Sequence, residues 1–406
     1  MRILYVTPHI EWPLSSGGHI RKWNILQGLL AAGDVDVLVC GVENTDCTEG
    51  PYRGCREITT ISRTVFRTTP EQRSLYDDTF GRVRLTISSP YPYLFLWGHP
   101  KDARQAYKDM RSRGRYDLIW VETLRFAATL GVSHHSFKSK GKSKSARVVV
   151  DGDDFTWIRD LGLLKSTPSY GTKLLDYIDV LKMWAWERTC VSWYSAVVRC
   201  SHEDRIRQGG KHTVVIPNGT DIPPASNRNP AGRVLFVGLL DYQPNELGIS
   251  WFLKEIWPRV THVAPEARLD IVGRGFSSEL SRVNGTSGIS VHGYVPDLTP
   301  LYENATLSIA PLHAGGGTRL KILESIARRV PVVSTTLGAY GIPLFEEHGL
   351  FRRDGVRAFA DACIELLLNK GHEAQSSTLS GREIIRRKFD WKQIQDAVTQ
   401  LAISYQ

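Results

Sequence analysis

The chain has 406 residues, too many for one ordinary hydrophobic core and suited to two domains of roughly 200 each. Hydrophobic residues make up 42% and charged residues 23%, which excludes a disordered chain, and the most apolar short run, 91–97, is far below the roughly 20 residues of a membrane-spanning helix. The formal charge of +9 suits an anionic partner, whether nucleotide diphosphate, acidic lipid surface or nucleic acid, without choosing among them.

Short β-rich runs alternate with helical patterns, which predicts parallel sheets with helices on both faces. In the first half, strands are expected at 2–6, 35–40, 116–121, 147–151, 194–200 and 213–217. A helix over 18–32 follows the first of them, ended by Gly33, and a long helix over 171–193 precedes the fifth. The second half restarts the pattern with strands at 233–238, 268–273, 289–293, 306–311 and 331–335, and helices near 246–262, 297–304, 317–329 and 356–370. Between the halves, Ile216-Pro217-Asn218-Gly219-Thr220-Asp221-Ile222-Pro223-Pro224 carries the Pro and Gly punctuation of a linker. Two doubly wound domains arranged this way are expected to hold a ligand in a cleft at the carboxyl ends of their strands.

The 6 cysteines have irregular spacings and no Cys-x-x-Cys pair, so they read as reduced thiols of a cytosolic protein. Met1-Arg2 runs directly into an apolar strand, which leaves no room for a signal peptide. The lysines at 138, 140, 142 and 144 read as a solvated loop or as a patch for an acidic membrane surface. The aromatic run over 89–97 reads as acceptor-site lining, lipid-surface contact or core.

The most informative stretch is Pro311-Leu312-His313-Ala314-Gly315-Gly316-Gly317-Thr318-Arg319-Leu320-Lys321-Ile322-Leu323-Glu324. A strand end, a glycine-rich turn and a helix start bring backbone amides and the positive end of a helix dipole together, which suits a phosphate or serves packing alone. Arg319 and Lys321 add cations where the dipole disfavours them, so an anion is the natural compensation. On a helical wheel, Leu323, Ile326 and Ala327 define an apolar stripe, and Arg319 projects near its centre, so its guanidinium is expected to pair at the helix mouth or bind a ligand. Glu324 lies one turn from Lys321, as an intrahelical ion pair would. Ser16-Gly17-Gly18-His19-Ile20-Arg21 opens the first helix in the same manner. Asp151-Gly152-Asp153-Asp154 ends a strand and reads as a helix cap or as a hard-cation site. Val272-Gly273-Arg274-Gly275 reads as packing geometry or pocket wall. No Ser/His/Asp, Cys/His or His-Glu-x-x-His arrangement supports a hydrolase.

With these residues in hand, the chain resembles the family-4 retaining glycosyltransferases, which have the two-lobed GT-B fold. The resemblance rests on Gly17-Gly18, Ile216-Pro217-Asn218-Gly219, the run from Phe236 to Asn245, His292-Gly293-Tyr294-Val295-Pro296-Asp297, and Gly315 to Glu324 continuing into Pro331-Val332-Val333-Ser334-Thr335. It implies an α/β architecture of two Rossmann-like doubly wound domains facing each other across a cleft. Residues 1–217 would form the acceptor lobe, 218–385 the nucleotide-sugar lobe, and 386–406 a helix returning to the first lobe, which Phe389-Asp390-Trp391 with Ile394, Val398 and Leu401 fits.

It further implies that Glu324, as the second Glu of a Glu-x7-Glu motif, binds ribose hydroxyls. Gly238, Gly316, Gly317, Thr318, Arg319, Leu320 and Lys321 would hold diphosphate and sugar, Tyr294 and Val295 would flank the base, and Gly17 and Gly18 would approach the phosphates. Arg319, Lys321 and Asp153 are the expected catalytic residues, with His19, Arg21, Asp151 and Asp154 on the acceptor side. Three departures stand out. Gly316 falls where the first Glu would be, Leu239 and Asn245 replace the usual Arg and Lys after the Val-Gly turn, and Asp153 aligns with a common His. Arg319 and Lys321 are then the substitute cations.

The implied activity is retaining transfer of a hexosyl-type unit from a nucleotide-diphosphate sugar to an acceptor hydroxyl, with no bound metal or cofactor and no nucleic-acid partner. A cytoplasmic location, with peripheral contact at the inner membrane face, accompanies it. The alternatives are a pseudo-glycosyltransferase coupling a nucleotide-activated non-sugar unit and a nonenzymatic nucleotide-sugar-binding protein.

Overall fold

The computed structural model describes residues 1–14, 16–42, 50–62, 79–89, 91–92, 101–132, 146–166, 171, 173–209, 212–224, 228–275, 277–368 and 372–406. The lysines at 138–144, Cys47 and most of the aromatic run over 89–97 lie outside them. The chain divides into two compact units. The first comprises Met1–Leu164, Pro168–Pro217 and Ile394–Gln406, and the second Lys165–Thr167 and Asn218–Gln393.

The first unit holds β1 (Arg2–Pro8), β2 (Asp34–Val42), β3 (Glu57–Ser62), β4 (Leu118–Glu122), β5 (Arg147–Asp151), β6 (Ala196–Arg199) and β7 (Thr213–Val215). Every described pair is parallel, in the order β3-β2-β1-β4-β5-β6-β7. Ile3 faces Val35 on one side and Leu118 on the other, so β1 is central. Strands covered on both faces need continuous apolar runs, as Ile3–Val6 and Val148–Val150 are. The order reverses between β1 and β4, and a crevice at their carboxyl ends is where such sheets bind ligands.

The second unit holds β8 (Arg233–Val237), β9 (Arg268–Val272), β10 (Ile289–His292), β11 (Ala305–Ala310), β12 (Val332–Ser334) and β13 (Leu350–Arg352), all parallel, in the order β10-β9-β8-β11-β12-β13. Its reversal lies between β8 and β11. Phe236, Phe252, Trp257, Phe359 and the aliphatic residues of β8, β9 and β11 form its main core. The helical run expected near 246–262 spans 243–263, interrupted by a π-helical turn at Phe252–Ile256. Pro258 follows, and its missing N–H is the physical reason for a local change of hydrogen-bond register.

The two halves thus form two parallel Rossmann-like sheets, as expected. Two edge strands were not anticipated. β3 is half-buried in its middle, exposed at both ends and lacks an apolar run, while β13 has three residues. The last helix, Trp391–Ile403, contributes its later turns to the first unit. Gln395 Nε2 donates to Asn24 Oδ1 at 2.7 Å and Thr399 Oγ1 to the Gly28 carbonyl at 2.8 Å. A Cβ on Gly28 would lie 2.7 Å from that of Val398, so this contact requires glycine. Among the described residues, no helix is long and apolar enough to cross a membrane.

Candidate functional site

In the second unit, the carboxyl ends of β8 and β11 carry the glycine-rich turn and its partners. The helix after β11 starts at Leu320, not near 317, and Arg319 is its N-cap in an extended conformation. Gly315 and Gly317 take φ of 108° and 71°, a region that disfavours other residues and delays the helix. Arg319 therefore does not sit on the apolar stripe, and the wheel expectation is corrected. Its guanidinium turns back on the loop, donating to the carbonyls of Gly316 and, at 3.1 Å, Gly317. Arg319 thus staples the turn it belongs to. Thr318 beside it is 7% exposed, and among the described residues its Oγ1 has no hydrogen-bond partner. A buried hydroxyl without a partner costs free energy unless a ligand meets it.

Lys321 lies in the first helical turn. Its Nζ donates to Asn245 Oδ1 at 2.8 Å and stands 4.0 Å from the ring centroid of Phe236. Asn245 is held in turn by its Nδ2, which donates to the Leu239 carbonyl at 2.8 Å. Burial, and then the Arg319 charge, bring the Lys321 ammonium down to about 7. Three glycines allow this convergence. A Cβ on Gly238 would lie 2.9 Å from Lys321 Nζ, one on Gly248 2.6 Å from the Pro311 carbonyl, and one on Gly273 1.8 Å from the Gly238 carbonyl.

Glu324 does not pair with Lys321. It accepts from the buried Tyr302 hydroxyl at 3.2 Å, and burial pushes its carboxyl upward against the pull of Arg328. Tyr294 is 54% exposed beyond β10, with Val295 half-buried beside it. His292 bonds Asp270, which also pairs with Arg233 at 2.8 Å, so this turn is anchored to β9.

In the first unit, Ser16 holds the N-cap position of the helix Gly17–Ala32 without a side-chain capping bond, and a Cβ on Gly18 would meet nothing within 4 Å. Arg21 is 2% exposed and grips Asp151 through two 2.8 Å bonds, from Nε and Nη2, while Nη1 donates to the carbonyls of Ile216 and Pro217. These contacts tie the first helix to β5 and to the end of the unit. His19 Nδ1 lies 3.5 Å from Glu11. Asp153 has φ of 41° and accepts from Cys200 Sγ at 2.6 Å, and the Asp154 carbonyl accepts from Arg199.

The sequence reading passed over a neighbouring group. Glu122 ends β4, 3% exposed, and accepts from the Tyr5 hydroxyl at 2.7 Å. Burial, then the Asp151 charge, push its carboxyl up to about 8. Burial also lowers the Lys22 ammonium, against the pull of Glu122, Asp153 and Asp151. An acid closing the apolar run Leu118–Val121 was the available signal. Among the described residues, no group of three or more His, Cys, Asp or Glu is placed to hold a metal.

Comparisons with known proteins agree with this architecture. Residues 231–369 match the family model described as "Glycosyl transferases group 1". An "Uncharacterized 44.6 kDa protein in cps region" of Klebsiella pneumoniae is 23% identical over 356 residues, covering 84% of each chain. Among solved structures, sucrose-phosphate synthase from Thermosynechococcus elongatus superposes with a TM-score of 0.64 at 18% identity over 99% of this chain and 98% of that one. Anabaena HepE in complex with UDP gives 0.60 at 14% identity over the whole of both chains. The lipopolysaccharide outer core galactosyltransferase WaaB, in its apo form, gives 0.56 at 12% over 100% and 99%. These likenesses establish the GT-B fold.

Proposed function

We propose that the protein is a retaining glycosyltransferase that moves a hexosyl-type unit from a nucleotide-diphosphate sugar to an acceptor hydroxyl. The observation that carries this reading is the Lys321–Asn245 contact at the carboxyl end of β8. There a lysine amine, lowered to about 7, follows a glycine-rich turn whose Thr318 hydroxyl has no partner among the described residues. The match of residues 231–369 to group 1 glycosyltransferases and the fold shared with HepE, solved with UDP, support it.

The second unit is the donor lobe in this reading. Gly238, Gly316, Gly317, Thr318, Leu320 and Lys321 hold the diphosphate, Glu324 the ribose, and Tyr294 with Val295 the base. The first unit is the acceptor lobe, with Gly17 and Gly18 offering amides to phosphate and Asp153 at the strand-end turn. Arg21 and Asp151 act there by positioning, since each occupies the other.

Breaking the anomeric bond leaves negative charge on the departing diphosphate, and donors already in place stabilise it best. The Lys321 amine takes up a proton as the diphosphate arrives, and Arg319 keeps the turn in shape. The chemistry needs no metal in this account. With retention, the acceptor attacks on the leaving group's face and a phosphate oxygen takes its proton, so no protein nucleophile is needed.

Calorimetric titration with UDP, GDP, dTDP and their sugar conjugates tests the assignment. One nucleotide class should bind at 1:1 stoichiometry, with loss in Lys321→Met. Absence of binding by all of them would reject it.

A further inference from the structure

A second cationic centre lies away from the donor turn, within the same unit. Ile222, Pro223, Pro224, Arg329, Leu379, Arg382, Arg386 and Asp390 line a pocket of about 540 Å3. Two separate segments bring its arginines together, the end of the helix Leu320–Ala327 and the helix His372–Lys388, and Arg228, outside the lining, bonds the Arg329 carbonyl.

Arg386 pairs with Glu383, but the charges of Arg329, Arg382 and Arg228 are not balanced. Arg382 is 9% exposed and donates to the carbonyls of Ala327, at 2.9 Å, and Pro223, which are neutral partners. Arg228 likewise donates to the carbonyls of Arg329 and Ala305. Among the described residues, no carboxylate lies within ion-pair distance of Arg228, Arg329 or Arg382. Among the described residues, the buried Nε atoms of Arg228 and Arg329 have no hydrogen-bond partner. Burial, then Arg329, brings Arg228 down to about 10; burial, then Arg386 and Arg329, lowers Arg382. Arg386 shares Glu383 with Arg387, and Asp390 caps the next helix through the Lys392 N–H.

Helix capping does not account for this. The last carbonyls of Leu320–Ala327 attract cations, and Arg382 on the Ala327 carbonyl meets that need. Further guanidiniums beside it repel. Arg329 moreover holds φ of 63°, a conformation that favours glycine at a helix end. A charged residue is kept where the backbone prefers none. Another pocket, of about 750 Å3, is also rich in cations, yet there Lys254 pairs with Glu279 and Arg357 with Asp361.

We infer that the pocket formed by Arg329, Arg382 and Arg386 is a binding site for a small soluble phosphorylated molecule. Converging guanidiniums match the several oxygens and double charge of a phosphate group. Ile222, Pro223, Pro224 and Leu379 offer apolar surface to its carbon skeleton, and the volume suits a small ligand better than a bare ion. Its wall includes the segment that follows directly on Asn218, where the second unit begins.

The test is calorimetric titration of the full chain with inorganic phosphate and glycerol 3-phosphate, at ionic strength fixed with sodium chloride. Saturable 1:1 binding is expected, tighter for glycerol 3-phosphate. Arg329→Gly should weaken it about tenfold, and Arg386→Ser several-fold. Glycine suits the backbone at 329, so that variant should melt no lower than wild type. Lys321→Met should leave the binding intact, which separates this site from the donor site and its reading. The inference is overturned if neither compound binds saturably, if Arg329→Gly binds as wild type does, or if Lys321→Met removes the binding.

Discussion

Lys321 Nζ lies 2.8 Å from Asn245 Oδ1, so a cation carried by the helix after β11 is delivered to the turn after β8. The resemblance would put a lysine of the family at Asn245, and in the proposed reading the Lys321 amine serves as the substitute cation. The consequence is a lysine over the Phe236 ring and near Arg319, with its pKa brought down to about 7.

Diphosphate binding should accordingly take up a proton. A neighbouring anion raises the pKa of an ammonium, so affinity should be flat below pH 7 and fall as pH rises from there toward the higher pKa of the complex. The slope approaches about tenfold per pH unit. Calorimetry in buffers of different ionisation enthalpy reads the uptake directly, and Lys321→Met should abolish both slope and uptake.

Gly238 and Gly18 should separate packing from access. Gly238→Ala places a methyl 2.9 Å from Lys321 Nζ and Asn245 Nδ2, and should weaken donor binding at least several-fold while the sheet folds. A Cβ on Gly18 meets open space, and alanine is the better helix residue by about 0.5–1 kcal/mol. Gly18→Ala should therefore raise the melting temperature yet lower turnover, if phosphate passes beside that backbone.

Arg21 and Asp151 bind each other in a buried setting, so breaking the pair should cost more than removing it. Arg21→Met alone leaves an uncompensated buried carboxylate, at a cost of about 3–5 kcal/mol. Adding Asp151→Asn should recover much of that loss in chemical denaturation. A pure acceptor contact would instead leave stability unchanged and alter turnover.

Glu122 should make stability depend on pH. Its folded pKa, about 8, lies above the ordinary 4.5, so its contribution is fully present below the ordinary value and is lost as pH rises through 8. Glu122→Gln keeps an acceptor for the Tyr5 hydroxyl and removes the titration. The variant should gain steadily on wild type between pH 5 and 8, read from denaturant midpoints.

Periodicity and punctuation marked the central strands because strands covered on both faces, such as Leu4–Val6 or Val148–Val150, are apolar on both faces. Edge strands carry no such requirement, which is why Glu57–Ser62 and Leu350–Arg352 escaped notice. The glycine-rich turn was legible as a unit. The place of Arg319 was not, because wheel arithmetic assumes a helix already begun, and two positive-φ glycines postpone it. Long-range partners were invisible for a simpler reason. Arg21 and Asp151 are 130 residues apart, and either alone resembles a surface charge. The +9 excess likewise gained meaning from placement, at Lys321 on one side of the second unit's switch point and in the arginine pocket elsewhere.

Transfer from a nucleotide sugar should depend on the Gly315–Arg319 turn. Its most direct test is release of nucleoside diphosphate from UDP-, GDP- and dTDP-sugars, by wild type and by Arg319→Ala, with a circular dichroism check that the variant folds. The account predicts that wild type consumes one nucleotide class and that Arg319→Ala, its turn unstapled, loses about a hundredfold or more of that rate. Near-normal turnover in a folded Arg319→Ala, or no release from any donor by wild type, would contradict it.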